Sequence, residues 1–538
     1  MSQPGALALV NARVMVHDPA AGRLQVHPSA TAVLVRAGRV AAIGDDQTML
    51  AQRRGDEEVV DLRRGVVLPG FIDAHIHAFD CALASLQVSL LPPAVDSLAE
   101  MHRRLAARAR SAAPGSWVLG EGYDDMRMVE RRHPSRSDLD EAAPDRAVLV
   151  RRVCGHMSVA NSMALHIAGI GPDTADPAGG TIVRDASGAP TGLLLERAQD
   201  LISVHVPPTR AADIARALEA TGRELARHGI TTICEAMLGG SNPEELAVWK
   251  DVLAAGWDGP RLTCLIDHRV DEVPALEQLK VVGTKLFADG VVTGRTAAVS
   301  EPFEGGNETG LLLHDPARLA ELVRISADRG LPVGIHAMGD RGIEVALDAI
   351  DGVAPNGIAA TNGAAAPYRI EHCSLPSRDS LVRMHRAGIV PVPQPGFLYA
   401  EGEAYRERLG PERAARAYPL RTMLRMRMRP AVSSDAPATS AEDAFNPWLG
   451  IAAAVSRQTW AGTQLGADEA ISIGEAMAGY TANAAAALGM EHRTGSLGVG
   501  KDADIIVFDE DPTAALVDDL VSLRPTIVLR NGRFLVRR

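Results

Sequence analysis

The sequence predicts an α/β fold: a (β/α)8 TIM-like barrel with a small β-sandwich domain formed from both chain termini and an insertion after the first barrel strand. Three observations predict it. Short apolar strands alternate with helices over most of the 538 residues, both ends of the chain are rich in strands, and one long interval fits neither pattern. A doubly wound sheet also has helices between parallel strands, but no GxGxxG motif follows a strand here.

The two ends of the chain carry the apolar alternation that is typical of strands. Residues 1–68 contain ALALVNARVMV, TAVLVRAGRVAAIG and EEVVDLRRGVVLPG, each bounded by turn residues. Residues 491–538 contain DADIIVFD, PTIVLRNG and RFLVRR. We therefore expect residues 1–68 and 491–538 to be the two parts of one β-sandwich domain.

The barrel is expected over residues 69–490. Its candidate strands are VVLPGFIDAHIH, GITTICEA, RLTCLI, VVGTKLFADG, LPVGIHAMGD, YRIEHC, IVPVPQP and RPAVSSD. Helical stretches such as PARLAELVRISADRG and SRDSLVRMHRAG lie between them. Residues 80–205, approximately, break this repeat with a helix near 96–113, Gly- and Asp-rich text and hairpin-like segments, which predicts the insertion.

Composition and charge exclude several classes of function. The chain has 55 Lys and Arg against 67 Asp and Glu, a formal net charge of −12, and no basic cluster that would follow a phosphate backbone. Five cysteines without a CxxC pair argue against a disulfide framework or a thiolate zinc site. No signal-peptide pattern and no long apolar stretch is found. We expect a cytoplasmic protein with a small-molecule substrate, without nucleic acid or membrane as partners, and with a homodimer as the assembly to consider.

Metal-binding residue types recur at the ends of the predicted strands. His75 and His77 are two residues apart at the end of one strand, so their side chains point to the same face. His336, His372 and Asp435 each close a further strand, and such ends meet at one face of a barrel. A lone histidine is usually a hydrogen-bonded core or surface residue. Four imidazoles and a carboxylate at one face instead predict a metal site.

Lys285 is the sixth strand-end residue, and it lies inside an otherwise apolar strand of a chain that uses Arg almost everywhere else. Burying an ammonium beside divalent cations is costly. A neutral amine can instead add CO₂, and the two oxygens of the resulting carbamate can bridge two metal ions. A lysine in a salt bridge is the alternative.

Seven motifs, in chain order, give the sequence a specific resemblance: PGFIDAHIH, KLFADGVVTGRTAAV, GIHAMGDRG, RIEHC, SSDAP, EAMAGYTANAAAALG and GSLGVGKDADIIVFDEDP. The chain resembles the metal-dependent amidohydrolase superfamily and, within it, the type 3 branch of YtcJ-like proteins and N-substituted formamide deformylases. Two departures lie beside the expected ligands: DGVVTGRTA stands where the family usually has DGSLGSRTA, and Ala438 stands where it has a larger aliphatic residue. These departures concern the substrate rather than the metal.

The resemblance implies a binuclear centre with two divalent metal ions, and Zn²⁺ is the metal expected there. The first ion would be held by His75, His77 and Asp435. The second would be held by His336 and His372, and N6-carboxylated Lys285 would bridge the two ions. The pair of ions would generate a bridging hydroxide, and Asp435 would act as the catalytic general base and then general acid.

The implied activity is hydrolysis of a C–N bond other than a peptide bond, in an N-substituted amide, formamide or carbamate. An ester, lactone or carbamate-ester hydrolase with the same site is an alternative. A non-catalytic interaction protein of this fold is another, but such relatives tend to lose ligands, and all six are present here. Polar residues in loops expected over the barrel mouth are candidate substrate contacts: Tyr123, His156, Asn161, Arg295 and Gln394.

Overall fold

The computed structural model describes the chain except residues 1–5, 56, 114, 154, 156, 178, 241, 243, 273–275 and 354–365. The chain divides into two compact units. The barrel unit comprises Met1–Phe79, Glu219–Thr439 and Ala444–Arg538. The insertion unit comprises Asp80–Leu218 and Ser440–Asp443.

The N-terminal segment of the barrel unit consists of short strands and one helix. Apolar residues fill most of these strands, and the helix begins where the Asp45 side chain accepts a hydrogen bond from the backbone N–H of Thr48. The elements are β1 (Leu7–Val10), β2 (Arg13–Asp18), β3 (Arg23–Val26), β4 (Ala32–Arg36), β5 (Arg39–Gly44), α1 (Asp46–Gln52), β6 (Glu58–Asp61) and β7 (Val66–Pro69).

The first barrel strand leads into the insertion unit. The elements that follow β7 are β8 (Phe71–Ile76), α2 (Ala78–Ser85), β9 (Val88–Ser89), α3 (Leu98–Ser111), β10 (Val118–Tyr123), α4 (Arg136–Ala142), β11 (Val148–Arg152), β12 (Met157–Ala160), α5 (Ser162–Ile167), β13 (Gly180–Arg184), β14 (Pro190–Glu196) and α6 (Asp200–Ser203). The predicted helix is α3, whose buried Met101, Leu105 and Ala109 recur every four residues. The hairpin-like segments belong to one mixed sheet, in the order β13-β14-β12-β11-β10-β9.

The barrel continues with strands and helices that alternate as the sequence predicts, except that no helix is found among the described residues between β16 and β17. These are α7 (Ala211–Arg227), β15 (Ile230–Leu238), α8 (Glu245–Gly256), β16 (Arg261–Asp267), β17 (Leu279–Phe287), α9 (Pro316–Asp328), β18 (Val333–Ala337), α10 (Asp340–Asp351), β19 (Arg369–His372), α11 (Arg378–Ala387) and β20 (Val390–Val392). The strands form one all-parallel sheet in the order β8-β15-β16-β17-β18-β19-β20. This sheet confirms the predicted barrel class.

Residues 431–436 close the barrel in the place of the predicted eighth strand, without forming a regular strand. On one side, the N–H of Ala431 donates to Pro391 O at 3.0 Å. On the other, the N–H of Asp435 donates to His75 O, and the N–H of His77 donates to Ala436 O, both at 2.8 Å. This closing segment therefore connects β20 to β8, and it carries Asp435 to the carboxyl ends of the strands.

The C-terminal part of the chain consists of helices followed by three strands that join one of the terminal sheets. The elements are α12 (Gly396–Leu409), α13 (Pro411–Ala415), α14 (Leu420–Arg425), α15 (Pro447–Ser456), α16 (Ile473–Ala478), α17 (Ala484–Ala487), β21 (Ile505–Phe508), β22 (Ile527–Arg530) and β23 (Arg533–Arg537). The sheet β5-β4-β1-β6 consists of N-terminal strands alone, whereas the sheet β23-β22-β21-β7-β2-β3 combines strands from both ends of the chain. Their shared apolar core contains Leu9, Val33, Val67, Ile505 and Leu529. Among the described helices, none is both long and apolar enough to cross a membrane.

Candidate metal centre

The structure brings the six predicted strand-end residues together at the carboxyl ends of the barrel strands. His75 and His77 lie at the end of β8, and Lys285 and His336 lie in the neighbouring strands β17 and β18. His372 ends β19 and Asp435 lies in the closing segment. Parallel barrel strands direct their carboxyl ends to one face, which is why residues so distant in sequence meet.

Short distances join these side chains. Asp435 Oδ1 lies 3.3 Å from His75 Nε2 and 3.2 Å from His77 Nε2. Lys285 Nζ lies 3.4 Å from His75 Nε2. The ring of His372 lies 4.4 Å from that of His336 and 5.1 Å from that of His75, measured between centroids. Ligand atoms of His75, His372 and Asp435 all lie within 4.8 Å of one another.

Glu371 determines which nitrogen of His75 faces the site. His75 Nδ1 lies 2.5 Å from Glu371 Oε2, and both side chains are buried. The pKa of Glu371 lies well below its usual value: burial raises it, but the charge of Arg369 and hydrogen bonds from His75 and Arg369 lower it more. An ionised carboxylate only accepts hydrogen bonds, so the proton of His75 is on Nδ1. The lone pair of Nε2 therefore points toward Asp435 and Lys285.

Gln394 determines the tautomer of His372 in the same way. Its Nε2 donates to Val392 O at 2.8 Å and lies 2.9 Å from Ser433 Oγ, so its Oε1 faces His372 Nδ1 at 2.8 Å. Because a carbonyl oxygen accepts hydrogen bonds, the proton of His372 is on Nδ1 and its Nε2 is free. The buried amide of Gln394, predicted as a substrate contact, thus has three protein partners in the structure. Its contact with a substrate stays a prediction.

His336 has the opposite arrangement of its ring nitrogens. Its Nε2 lies 3.0 Å from Gly290 O, so it donates there and leaves Nδ1 free. Burial, together with Lys285, lowers the pKa of His336 to about 4. This imidazole is therefore neutral near pH 7, the form in which histidine binds metal.

The backbone is held in unusual conformations at two of these residues. His372 has a φ of 65° and Asp435 a φ of 53°, in the left-handed region that residues other than glycine seldom adopt. Each such residue costs on the order of 1–3 kcal/mol and persists only where the surroundings enforce it. Here His372 is the last residue of β19 and Asp435 lies near the end of the closing segment, and the turn at each residue directs its side chain into the site.

Lys285 is almost completely buried, and its chemistry follows from that burial. Only 1% of the residue is exposed, and burial lowers the pKa of its amine from the usual value. Its Nζ lies over the ring of Phe287, 5.0 Å from the centroid. An amine with a lowered pKa is more often neutral, and only the neutral form reacts with CO₂.

Asp435 is ionised despite its burial. Burial raises its pKa, but interactions with the imidazoles of His75, His77 and His372 lower it more, to well below the usual value. The carboxylate is thus available as a metal ligand and as a proton acceptor.

Two more buried carboxyl groups brace the backbone around the site. Asp73 Oδ1 accepts hydrogen bonds from the N–H of His75 and of Ser434, which links β8 to the closing segment. Burial raises the pKa of Asp73 to about 7, and that of Asp289 likewise to about 7. Asp289 accepts hydrogen bonds from three backbone N–H groups, those of Ala298, Met338 and Gly339.

The other predicted substrate contacts lie in loops or in the insertion unit. Arg295 hydrogen-bonds Glu304 O at 3.0 Å. Tyr123 is buried in the insertion unit, with its hydroxyl 3.2 Å from His133 Nδ1. Asn161 caps α5, where Oδ1 accepts from Val148 N and Ala164 N and Nδ2 donates to Arg146 O. His156 lies outside the described residues. Substrate contact by any of these residues stays a prediction.

The buried ion pair of Arg369 and Glu371 was not predicted from the sequence. The pair lies two residues apart in β19, the spacing at which side chains share a face. In the motif RIEHC, alternating charged residues look like the solvent side of a strand, so the only signal was that Glu371 directly precedes the predicted ligand His372. Glu235 was missed as well; its Oε1 lies 3.9 Å from His77 Nδ1.

The donor atoms fit a divalent metal. Ligand atoms of His75, His372 and Asp435 lie within 4.8 Å of one another, and the ring of His336 is next to that of His372. One nitrogen of each of these three imidazoles is held by a hydrogen bond, which leaves the other free. Such oriented imidazoles and carboxylates are the ligands of Zn²⁺ and related first-row ions. Asp73 and Asp289, which contact backbone N–H groups, are placed to support rather than to bind.

Comparisons with known proteins agree with this geometry. A sequence profile described as "Amidohydrolase family" matches residues 58–536. The Bacillus subtilis (strain 168) protein YtcJ is 32% identical over 532 residues, covering 94% of this chain and 96% of YtcJ. An N-substituted formamide deformylase from Arthrobacter pascens is 30% identical over 545 residues, covering 97% of each chain. The crystal structure of an uncharacterized metal-dependent hydrolase from Pyrococcus horikoshii OT3 superposes with a TM-score of 0.75 at 24% identity, over 96% of this chain and 99% of that one, which shows the same fold.

Proposed function

Because the chain belongs to the amidohydrolase family, whose members hydrolyse C–N bonds other than peptide bonds, we propose that its substrate is an N-substituted amide, formamide or carbamate. The observation that carries this proposal is the convergence of six side chains at the carboxyl ends of the barrel strands. The similarity to an N-substituted formamide deformylase over nearly the whole chain supports the substrate class.

The residues of the site divide into two sets of ligands. We assign His75, His77 and Asp435 to one divalent ion, because Asp435 Oδ1 lies close to an Nε2 atom of both histidines. We assign His336 and His372, whose rings are neighbours, to a second ion, and carboxylated Lys285 to both. Zinc ions held there would polarise the scissile carbonyl and lower the pKa of water.

Asp435 is the proposed proton carrier. Its ionised carboxylate accepts a proton from the attacking water and passes it to the leaving nitrogen, since an amine anion is a poor leaving group. The hydrogen bond from the Asp435 N–H to His75 O fixes the carboxylate beside the site, so the proton is delivered from a defined position.

The test compares an N-substituted formamide with the formate ester of the corresponding alcohol. Both are assayed with protein purified without chelator, again after chelator dialysis, and again after adding Zn²⁺. We expect formamide hydrolysis that is lost on chelation and restored by Zn²⁺. Hydrolysis of the ester alone, under conditions where both substrates are soluble, would instead assign an esterase. Formamide hydrolysis that persists in metal-free protein would contradict the metal-dependent proposal.

A further inference from the structure

We propose that Glu371 and Arg369 are positioning residues that orient His75 and thereby set the affinity of the site for its metal. The inference rests on the proposed function, because it takes His75 to be a metal ligand. Neither residue is one of the six proposed ligands, and both act through His75.

Glu371 is hydrogen-bonded to His75. Glu371 Oε2 lies 2.5 Å from His75 Nδ1, and the side chains of both residues are fully buried. This bond fixes the ring about its two rotatable bonds and keeps the proton on Nδ1. The nitrogen that remains, Nε2, lies 3.3 Å from Asp435 Oδ1 and 3.4 Å from Lys285 Nζ, inside the cluster of ligands.

Arg369 holds the carboxylate of Glu371 through two hydrogen bonds. Its Nε donates to Glu371 Oε1 at 2.7 Å and its Nη2 donates to Oε2 at 2.9 Å, the two-point geometry that defines the direction of a carboxylate. Arg369 Nη2 also donates to Ala74 O at 2.9 Å. The guanidinium therefore connects β19 to the residue that directly precedes His75 in β8.

Gly334 leaves space in the barrel for the side chain of Glu371. Gly334, on the neighbouring strand β18, has no side chain, and a Cβ atom there would lie 2.5 Å from Glu371 Oε1. The same Cβ would lie 2.6 Å from Leu265 Cδ1. Both distances are shorter than a van der Waals contact, so a side chain at position 334 must displace the carboxylate as well as the leucine.

A role in stability alone does not account for this arrangement. Replacing a buried ion pair by apolar residues of similar volume is often neutral or stabilising, so burial of both charges needs another reason. Holding a metal-binding imidazole is such a reason, and loss of a carboxylate that supports a ligand histidine typically weakens metal binding by about 10- to 100-fold.

The test measures Zn²⁺ affinity by competition with a chromophoric chelator and records the visible absorption of the Co²⁺-loaded protein. Two variants alter the pair: Glu371→Gln removes the charge, and Gly334→Ala displaces the carboxylate while keeping it. Gly402→Ala, in α12, is the matched control because it creates a similar steric clash. Its Cβ would lie 2.6 Å from Leu465 Cδ1 and 2.6 Å from Thr459 Cγ2. Thermal unfolding of each metal-free protein gives its stability separately.

We expect Glu371→Gln to lower Zn²⁺ affinity by about 10- to 100-fold and to change the Co²⁺ spectrum. Gly334→Ala should weaken Zn²⁺ binding as well, whereas Gly402→Ala should lose stability but keep wild-type affinity. Wild-type affinity and spectrum in folded Gly334→Ala and Glu371→Gln would overturn the inference and leave the proposed function intact. If Glu371→Gln does not fold, Gly334→Ala alone decides. A wild-type protein that binds no Zn²⁺ would overturn both.

Discussion

Asp435 has both its backbone and its side chain held at the proposed centre. Its left-handed backbone, with a φ of 53°, turns the chain at the end of the closing segment. Its N–H is bound to His75 O, and its carboxylate lies beside Nε2 of His75 and of His77. The same residue thereby closes the barrel, serves as a proposed ligand and carries the proposed proton.

Asp435→Asn tests the proton-transfer role. The amide has nearly the size of the carboxylate and keeps an oxygen that can bind a metal, but it cannot take up the proton. We expect kcat to fall by about 10²- to 10⁴-fold while most of the bound metal remains. Steady-state kinetics and elemental analysis of one preparation measure both. The exposed Asp468→Asn is the control, and an unchanged kcat in Asp435→Asn would refute the role.

Individual residues of the site differ in how readily the sequence reveals them. His75, His77 and His372 could be predicted because histidine is uncommon at the end of an apolar strand and its chemistry is distinctive. The partner of each ligand could not, because it depends on which side chains meet across the barrel. Gln394 lies 22 residues from His372, and Glu371 lies 296 residues from His75.

At the scale of elements, Arg457 connects the segments that follow α13 and α15. It directly follows α15 and is fully buried, with a φ of 56°. Its guanidinium donates to three backbone carbonyl groups at 2.8 Å, those of Leu465, Tyr418 and Ala417. Burial lowers the pKa of Arg457 to about 10, so the side chain is still protonated at pH 7.

Arg457→Met should therefore destabilise the fold. The methionine fills part of the volume but leaves the three carbonyl groups without these donors, and each buried polar group left unsatisfied costs about 1–3 kcal/mol. We expect a loss of at least about 2 kcal/mol in the free energy of unfolding, measured by urea denaturation. Arg406→Met, in α12 with its side chain 41% exposed, should stay within about 0.5 kcal/mol of wild type. Equal midpoints for the two variants would contradict this account of Arg457.

Regular elements were predicted best where one face is buried in a periodic pattern. The helices α9 and α11 follow from apolar residues at helical spacing, and β15 to β19 follow from short apolar runs. The closing segment was predicted as a strand but has no regular ladder. The insertion sheet was predicted only as hairpins, since the pairing of β10 with β11 and β9 is parallel and joins segments separated by helices. Pairing across such distances is not encoded in local periodicity.

At the scale of the whole molecule, the ends of the chain are required for the terminal sheets. β21 from the C-terminal part pairs with β7 from the N-terminal part, so neither end can complete the six-stranded sheet alone. Leu529 is fully buried in their shared core. The terminal sheets and the barrel belong to one compact unit, which predicts that they unfold together.

Leu529→Ala tests that coupling. Deleting a buried leucine side chain lowers the free energy of unfolding by about 2–5 kcal/mol. If the barrel unit unfolds in one transition, this change should lower the stability of the whole unit. We expect metal release and loss of secondary structure to shift together to lower temperature, as followed by circular dichroism and a chelating dye. Leu516→Ala, at a position that is 73% exposed, should leave both unchanged. Two separate transitions, with metal release unaffected, would contradict a single cooperative unit.

The number of metal ions per chain tests the central claim most directly. Protein purified with bicarbonate and without chelator is analysed by elemental mass spectrometry, for the wild type and for Lys285→Ala. The proposed bridged centre predicts about two metal ions in the wild type and about one or none in the variant, because the carbamate would hold both ions. About one metal ion in the wild type, unchanged in Lys285→Ala, would contradict the bridged pair and leave a mononuclear site at His75, His77 and Asp435.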